Sequence, residues 1–161
     1  MTEKIMDVEK LAARAAELHG AGRRLVFTNG CFDLLHVGHV RYLAAARALG
    51  DALVVAVNGD ASVRALKGAN RPINRERDRA EVLAALESVD FVTVFPEVRA
   101  TRLLSMVRPA VYVKGGDYTP ETLNAEERAA LNEIGAEIRI LPFEQGYSTS
   151  RLIQRLGPTP P

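Results

Sequence analysis

Two histidines three residues apart, His36 and His39, stand in the stretch NGCFDLLHVGH over 29–39, in a chain with only three histidines. Glycines flank them at 30 and 38, and the apolar run Leu25-Val26-Phe27 comes just before. Gly30 permits a tight turn and close approach of a ligand to the backbone. Gly38 and His39 open a helical pattern, and the first N–H groups of a helix lack internal partners and favour an anion. One imidazole before that helix and one at its start add N–H donors without a full fixed charge. This is the inventory of a phosphate cradle. The competing readings are a helix cap or surface feature, and a metal pair. A metal pair would favour i,i+4 spacing and further ligands, and only His19 remains, in a different helix. The glycine spacing is neither the dinucleotide fingerprint nor a Walker loop.

The cradle needs elements to hold it, and the pattern supplies them. VEKLAARAAELHG (8–20) reads as an amphipathic helix with Val8, Leu11, Ala15 and Leu18 on one face. Strand-like RLVFTN then gives way to a helical stretch around 38–49. The apolar, β-branched run 51–58 suits a strand covered on both faces. Residues 60–67 read as a short helix with Asp60 as N-cap, 75–89 as a helix and 90–95 as a strand. VRATRLLSMV is a helix stopped before Pro109, and 110–113 is a strand. NAEERAALNEIG is a helix, AEIRILPF a strand, and STSRLIQRL a closing helix capped by Ser148. Strands alternating with helices predict an α/β fold: a Rossmann-like, doubly wound, mostly parallel five-stranded sheet with helices on both faces. Ligands of such sheets lie beyond the carboxyl ends of the strands. The polar clusters at 29–39, 58–60 and 114–117 fall there. The expected organisation is an N-terminal helix over 1–22, one domain over 23–157 and a disordered tail over 158–161.

Composition narrows the classes. At 161 residues, 47% apolar and 25% charged, the chain has the make-up of an ordinary globular domain. A formal net charge of +1 offers no bulk electrostatic case for nucleic acid or a membrane surface. No apolar run approaches the roughly 20 residues a membrane span needs, and the charged start MTEKIMDVEK has no signal-like apolar region. Cys31 is the single cysteine, so no intramolecular disulfide forms. The expectation is a cytoplasmic protein.

GCFDLLHVGH resembles the signature of the nucleotidyltransferase superfamily that contains the cytidylyltransferases, whose H-x-G-H motif binds the nucleotide triphosphate. VAVNGDASVRALKGANRPIN, VKGGDY and GYSTSRLI extend the likeness, over about residues 24–156, to the adenylyltransferase domain of bacterial ADP-heptose synthases. H-x-G-H alone identifies the superfamily; its combination with K-G-x-x-R-P and V-K-G-G-D-Y is more specific. Two departures stand out. Many members carry a sugar kinase in front, so this chain resembles the stand-alone transferase. The closing motif is Ser-Thr-Ser where Ser-Thr-Thr is commoner.

The resemblance implies transfer of the adenylyl group of ATP to D-glycero-β-D-manno-heptose 1-phosphate, with ADP-heptose and pyrophosphate as products, for the lipopolysaccharide core. It implies catalytic roles for His36, His39, Lys67 and Lys114. Asn29, Gly30, Cys31, Phe32, Asp33, Gly38, Asn58, Arg71, Ser148, Thr149 and Ser150 would bind the nucleotide. Asp60, Gly115, Gly116 and Asp117 would hold the sugar phosphate. Magnesium would come mainly through the ATP phosphates, with Asp33 orienting the loop or a magnesium-bound water. A homodimer or larger homo-oligomer is expected, with no nucleic acid or membrane partner. Other readings stand beside these. Lys67 could complement a helix dipole, Ser148 caps its helix in any case, Asp117 suits a turn, and Cys31 suits a small buried filler. Arg75, Arg77 and Arg79 read as a solvated face, and His19 as a surface residue. The competing functions are another superfamily enzyme, such as a glycerol-3-phosphate cytidylyltransferase, and a non-catalytic nucleotide-binding module.

Overall fold

The structure, a computed structural model, describes residues 3–116, 118–142 and 145–157. Asp117 and the tail over 158–161 lie outside the described residues. The chain runs α1 (Val8–Gly20), β1 (Leu25–Gly30), α2 (Val37–Arg47), β2 (Ala52–Asn58), α3 (Asp60–Lys67), α4 (Glu76–Ala84), β3 (Phe91–Phe95), α5 (Thr101–Val107), β4 (Val111–Gly115), α6 (Ala125–Glu133), β5 (Glu137–Leu141) and α7 (Thr149–Leu156). The five strands form one sheet in the order β3-β2-β1-β4-β5. Every pairing among them is parallel. This is the expected Rossmann-like fold, with a wholly parallel sheet where a mostly parallel one was expected.

Strand side chains alternate between two apolar layers, as a period of two requires. Phe27 and Val54 face a layer with Leu11, Leu104 and Leu131. Val26, Leu53 and Val55 face the other, with Leu43 and Leu83. Every residue of β2 is buried, as its unbroken apolar run demands. Strand order reverses between β1 and β4, so the sheet opens a crevice beyond their carboxyl ends.

Three boundaries differ from expectation. The helix read over 75–89 ends at Ala84, because Leu86 and Val89 donate to carbonyls three residues back and tighten the chain out of the α-helix. The helix before Pro109 begins at Thr101, since the Ala100 N–H is drawn to the Glu127 carboxylate. Asp60 is not an N-cap: Gly59 holds that position, and Asp60 is the first helical residue.

The N-terminal helix is no separate appendage. Leu11 and Ala15 of α1 belong to the central core, and the segment before it joins the β3 edge, where Met6 donates to Val92 O at 3.0 Å and Val92 donates to Lys4 O at 2.8 Å. Asp7 caps α1 by accepting the Lys10 N–H at 2.8 Å. Since Leu11 is fully buried, Leu11→Ala should lower the unfolding free energy by about 2–5 kcal/mol in urea titration. A loss below about 0.5 kcal/mol would mean that α1 is peripheral to the core.

Candidate functional site

The loop after β1 carries the two histidines into α2 in a specific way. His36 is the N-cap of α2, and its Nδ1 accepts the Gly38 N–H at 3.1 Å. His39 occupies the third helical position, and its Nδ1 accepts the His36 N–H at 3.3 Å. The pair forms a capping box built from imidazoles. A neutral imidazole that accepts at Nδ1 carries its proton at Nε2. Both rings therefore keep a donor for a ligand. The rings lie 4.0 Å apart between centroids. Gly38 is required between them: a Cβ there would lie 2.8 Å from His36 Cε1 and 3.1 Å from Tyr147 Cβ.

Burial keeps both rings uncharged, with repulsion from His36 adding to it at His39. Desolvation, helped by the neighbouring His36, lowers the His39 pKa from 6.5 to about 4. Desolvation lowers that of His36 as well. At neutral pH both are neutral donors rather than fixed cations.

Upstream, Phe32 adopts a left-handed backbone (φ 47°), a costly conformation for a non-glycine residue. Its ring is nearly buried and sits 5.7 Å from that of His39. Gly30 makes room, because a Cβ there would stand 3.1 Å from the Phe32 ring. Asp33 holds the strained loop in place. Its buried carboxylate accepts the Ile73 and Asn74 N–H groups at 2.9 Å and Arg71 Nε at 2.6 Å. Burial alone would raise the Asp33 pKa; the Asn74 and Ile73 amides and the Arg71 guanidinium outweigh it and hold the carboxyl below its ordinary range. With its side chain fully covered and its oxygens engaged by these partners, Asp33 orients the loop, the first of its two expected roles.

These residues line a cleft of about 720 Å³ at the crevice between β1 and β4. Of the expected site residues, Asn29, Gly30, Cys31, Phe32, Asp33, His36, Gly38, His39, Asn58, Lys67, Arg71, Lys114, Gly115, Ser148, Thr149 and Ser150 are all brought to it. Thr149 donates to Leu34 O at 2.9 Å, docking the start of α7 onto the histidine loop. Ser148 caps α7 through the Arg151 N–H. Exposed Lys67 makes no hydrogen bond or ion pair among the described residues. Lys114 Nζ lies 4.9 Å from the Tyr118 ring centroid. Desolvation lowers the Lys114 pKa, with Glu127 opposing the shift.

Several assignments change. Asp60 does not line the cleft: it pairs with Arg79 at 2.8 Å. Gly116 also stands outside the lining; it turns the chain with φ 90° and donates to Leu141 O. Asn58 lines the cleft, but its amide donor is committed to Ser62 Oγ and the Glu97 and Val98 carbonyls. Arg79 is not on a solvated face. It is 2% exposed and donates to Cys31 O at 2.6 Å and Asn74 O at 3.0 Å as well as to Asp60. Cys31 is half-buried, and burial pushes its thiol pKa up. The sequence reading also passed over Tyr42, Arg99, Glu127 and Tyr147, which complete the walls. Only Tyr147 had a local signal, next to the hydroxyl cluster.

Among the described residues no cluster of three or more His, Cys, Asp or Glu side chains could hold a metal ion. None of their helices is long and apolar enough to cross a membrane.

A profile of the cytidylyltransferase-like family matches residues 27–155. The bifunctional protein HldE of Geotalea uraniireducens is 50% identical over 153 residues, which are 95% of this chain and 31% of that protein. HldE of Rhodopseudomonas palustris is 52% identical over 145 residues, 90% of this chain and 29% of its own. The chain thus spans about a third of the length of these relatives. Among solved structures, a lipopolysaccharide core biosynthesis protein from Thermoplasma volcanium superposes with a TM-score of 0.64 at 30% identity, covering 79% of this chain and all of that one. A pantoate-beta-alanine ligase from Francisella tularensis shares the fold, with a TM-score of 0.62 at 14% identity over 95% of this chain and 73% of its own.

The low pKa of His39 gives stability a defined pH dependence. Between about pH 6.5 and 4 the unfolded chain binds a proton at this position that the folded chain refuses, so stability falls as pH drops through that window. The ceiling is about 3 kcal/mol, reduced by partial solvent access to the ring. Asp33 acts lower: its contribution is whole above its unfolded pKa of 3.8 and is lost as pH falls below that. Urea midpoints should therefore decline from pH 7 to pH 4.5 in the wild type and decline less in His39→Gln. Parallel curves for the two proteins would show that His39 is not the group responsible.

Proposed function

We propose, from the premise that this chain belongs to the cytidylyltransferase-like family, that it is a nucleotidyltransferase that moves the adenylyl group of ATP onto D-glycero-β-D-manno-heptose 1-phosphate. The observation that carries the reaction class is the pair of backbone N–H bonds into Nδ1 of the two histidines, which leaves the Nε2–H of each neutral ring as a donor at the start of α2. The similarity to HldE over 95% of the chain supports the narrower reading, as do the V-K-G-G-D-Y and K-G-x-x-R-P motifs and the likeness to a lipopolysaccharide core biosynthesis protein.

In this reading an oxygen of the sugar phosphate attacks the α-phosphorus of ATP. The new P–O bond forms as the bond to the β-phosphate bridge breaks, and pyrophosphate leaves with that electron pair. The nucleophile has a second pKa near 6 by analogy with phosphoserine and is mostly a dianion at neutral pH, so it needs no general base. The obstacle is repulsion between two polyanions. The cleft meets it with the histidine donors, the α2 and α7 N-termini, and Lys67, Arg71 and Lys114. Magnesium enters with the triphosphate as part of the substrate, since among the described residues the carboxylates form no cage for it. The reading also carries the expectation of a cytoplasmic protein and of a homodimer or larger homo-oligomer.

The decisive assay is pyrophosphate release with magnesium, a panel of sugar 1-phosphates, and ATP or CTP. Heptose 1-phosphate with ATP should give the highest kcat/KM, and excess chelator should abolish turnover. Equal or faster turnover with CTP would remove the heptose assignment and leave the family alone.

A second test separates the cap from the donor. Asparagine is a strong N-cap, so His36→Asn should keep near wild-type stability while His36→Ala loses about 1 kcal/mol. Turnover in His36→Ala should fall about 10²–10³-fold, the cost of losing one donor in such a site. His36→Asn, which retains an N–H, should keep more. Should both be equally inactive, with the acid limb of the wild-type profile gone between about pH 5.5 and 9, the histidine would be a proton-transfer group.

A further inference from the structure

The cleft also holds an acidic group that the phosphate chemistry does not use. Glu127 of α6 lines it and is 4% exposed. Oε1 accepts the Ala100 N–H at 3.1 Å, and among the described residues Oε2 accepts nothing. A buried carboxylate is costly unless it has hydrogen-bond partners. In a site for polyanions it is also misplaced wherever a phosphate sits. Asn58 also lines the cleft, and its amide donor is already consumed by Ser62, Glu97 and Val98, so Asn58 too offers the cleft only a carbonyl oxygen. Two acceptors in one lining, a carboxylate among them, call for a ligand part that brings donors and no negative charge. Hydroxyl groups of a sugar meet that description. Lys114, held beside Tyr118, lies within reach of the Glu127 field and lines the same cleft.

We propose that Glu127, with Asn58, forms the sugar-hydroxyl subsite of the cleft and reads the acceptor sugar, while the histidine end reads the phosphates. This inference rests on the sugar 1-phosphate transferase reading above; it moves Asn58 from the expected nucleotide set to the acceptor, and it replaces Asp60, which pairs with Arg79, as the acidic contact to the sugar. Hydroxyl chemistry is shared by the acceptor and by the ribose of the nucleotide. Asn58 and Glu127 are both tied to the β3–α5 connection, through Glu97, Val98 and Ala100, and the proposal commits to the acceptor, with the ribose as the alternative that the KM for ATP tests.

The test is Glu127→Gln in the full chain. Gln keeps the oxygen that accepts the Ala100 N–H, so the fold is retained, and matching circular dichroism and melting temperature check this. The carboxylate's charge-assisted bond to hydroxyl is lost, so KM for heptose 1-phosphate should rise about tenfold or more. KM for ATP should stay within about twofold. A sugar 1-phosphate stripped of the relevant hydroxyl should show wild type and variant alike, since neither has that contact to lose. An unchanged KM for the sugar, with wild-type activity intact, overturns the subsite. A rise confined to KM for ATP overturns it in favour of the ribose. Absence of wild-type turnover on every sugar 1-phosphate instead removes the transferase reading; binding of the free sugar phosphate by calorimetry then decides Glu127 on its own, with equal affinity for both proteins counting against it.

Discussion

Two backbone N–H groups donate into the Nδ1 atoms of His36 and His39, and the chemistry of the cleft depends on that choice of nitrogen. A histidine can cap a helix or offer a donor to a ligand; with the proton on Nε2 it does both. The capping contact costs the site nothing because the Gly38 and His36 amides would otherwise be unsatisfied at a helix start. It also opposes protonation. A second proton on either ring would have to displace a backbone N–H, and it would stand beside another imidazole 4.0 Å away. Burial, and then the neighbouring His36, set the low pKa of His39, and the cap fixes which nitrogen of the neutral ring carries the proton.

Such an arrangement needs a rigid base, and two buried ion pairs supply it. Asp33 ties the loop after β1 to Arg71 and to the amides of 73 and 74. Arg79 ties the same loop, through Cys31 O, to Asp60 at the start of α3 and to Asn74 O. Both pairs are buried deeply enough that removing one partner would strand a charge, which is the expensive way to break them. Their value lies in geometry rather than net stability. They hold Phe32 in its left-handed conformation and so aim the histidine loop across the crevice.

What could be read from the chain and what could not divides along contact distance. The strands and helices announced themselves because periodicity is local, and the parallel order followed from their alternation. The histidine loop was readable because glycine, histidine and a helix start stand within a few residues of one another. Arg79 was misread for the same reason. In NRERDRAE its neighbours are charged, and only the folded chain brings Cys31, 48 positions away, over its guanidinium. Asp60 looked free to meet a sugar because its partner lies 19 residues on. Glu127 had no local mark at all: NAEERAAL reads as an ordinary helix start, and burial of its second glutamate depends on the docking of α6 against α5. The boundary of α1 with the rest was likewise drawn by a pattern that shows an apolar face but not what covers it.

The strand order explains why one crevice can hold two opposed chemistries. With β1 at the centre and the order reversing between β1 and β4, the connections from β1 and β4 leave the sheet in opposite directions. The β1 connection places α2 on one face and brings its N-terminus, with the two histidines, to the crevice. The β4 connection places α6 on the other face, where the first turn of α6 carries Glu127 in the cleft lining. A helix start attracts anions by its free amides, and the same field stabilises a carboxylate carried on its own first turn. The α2 start has histidines there and leaves its amides to capping and to ligand; the α6 start fills its amides with Asn124 and carries the acids Glu126 and Glu127. One helix terminus therefore faces the cleft as a donor and the other as an acceptor. A substrate with a phosphate at one end and hydroxyls at the other has a single favourable orientation between them.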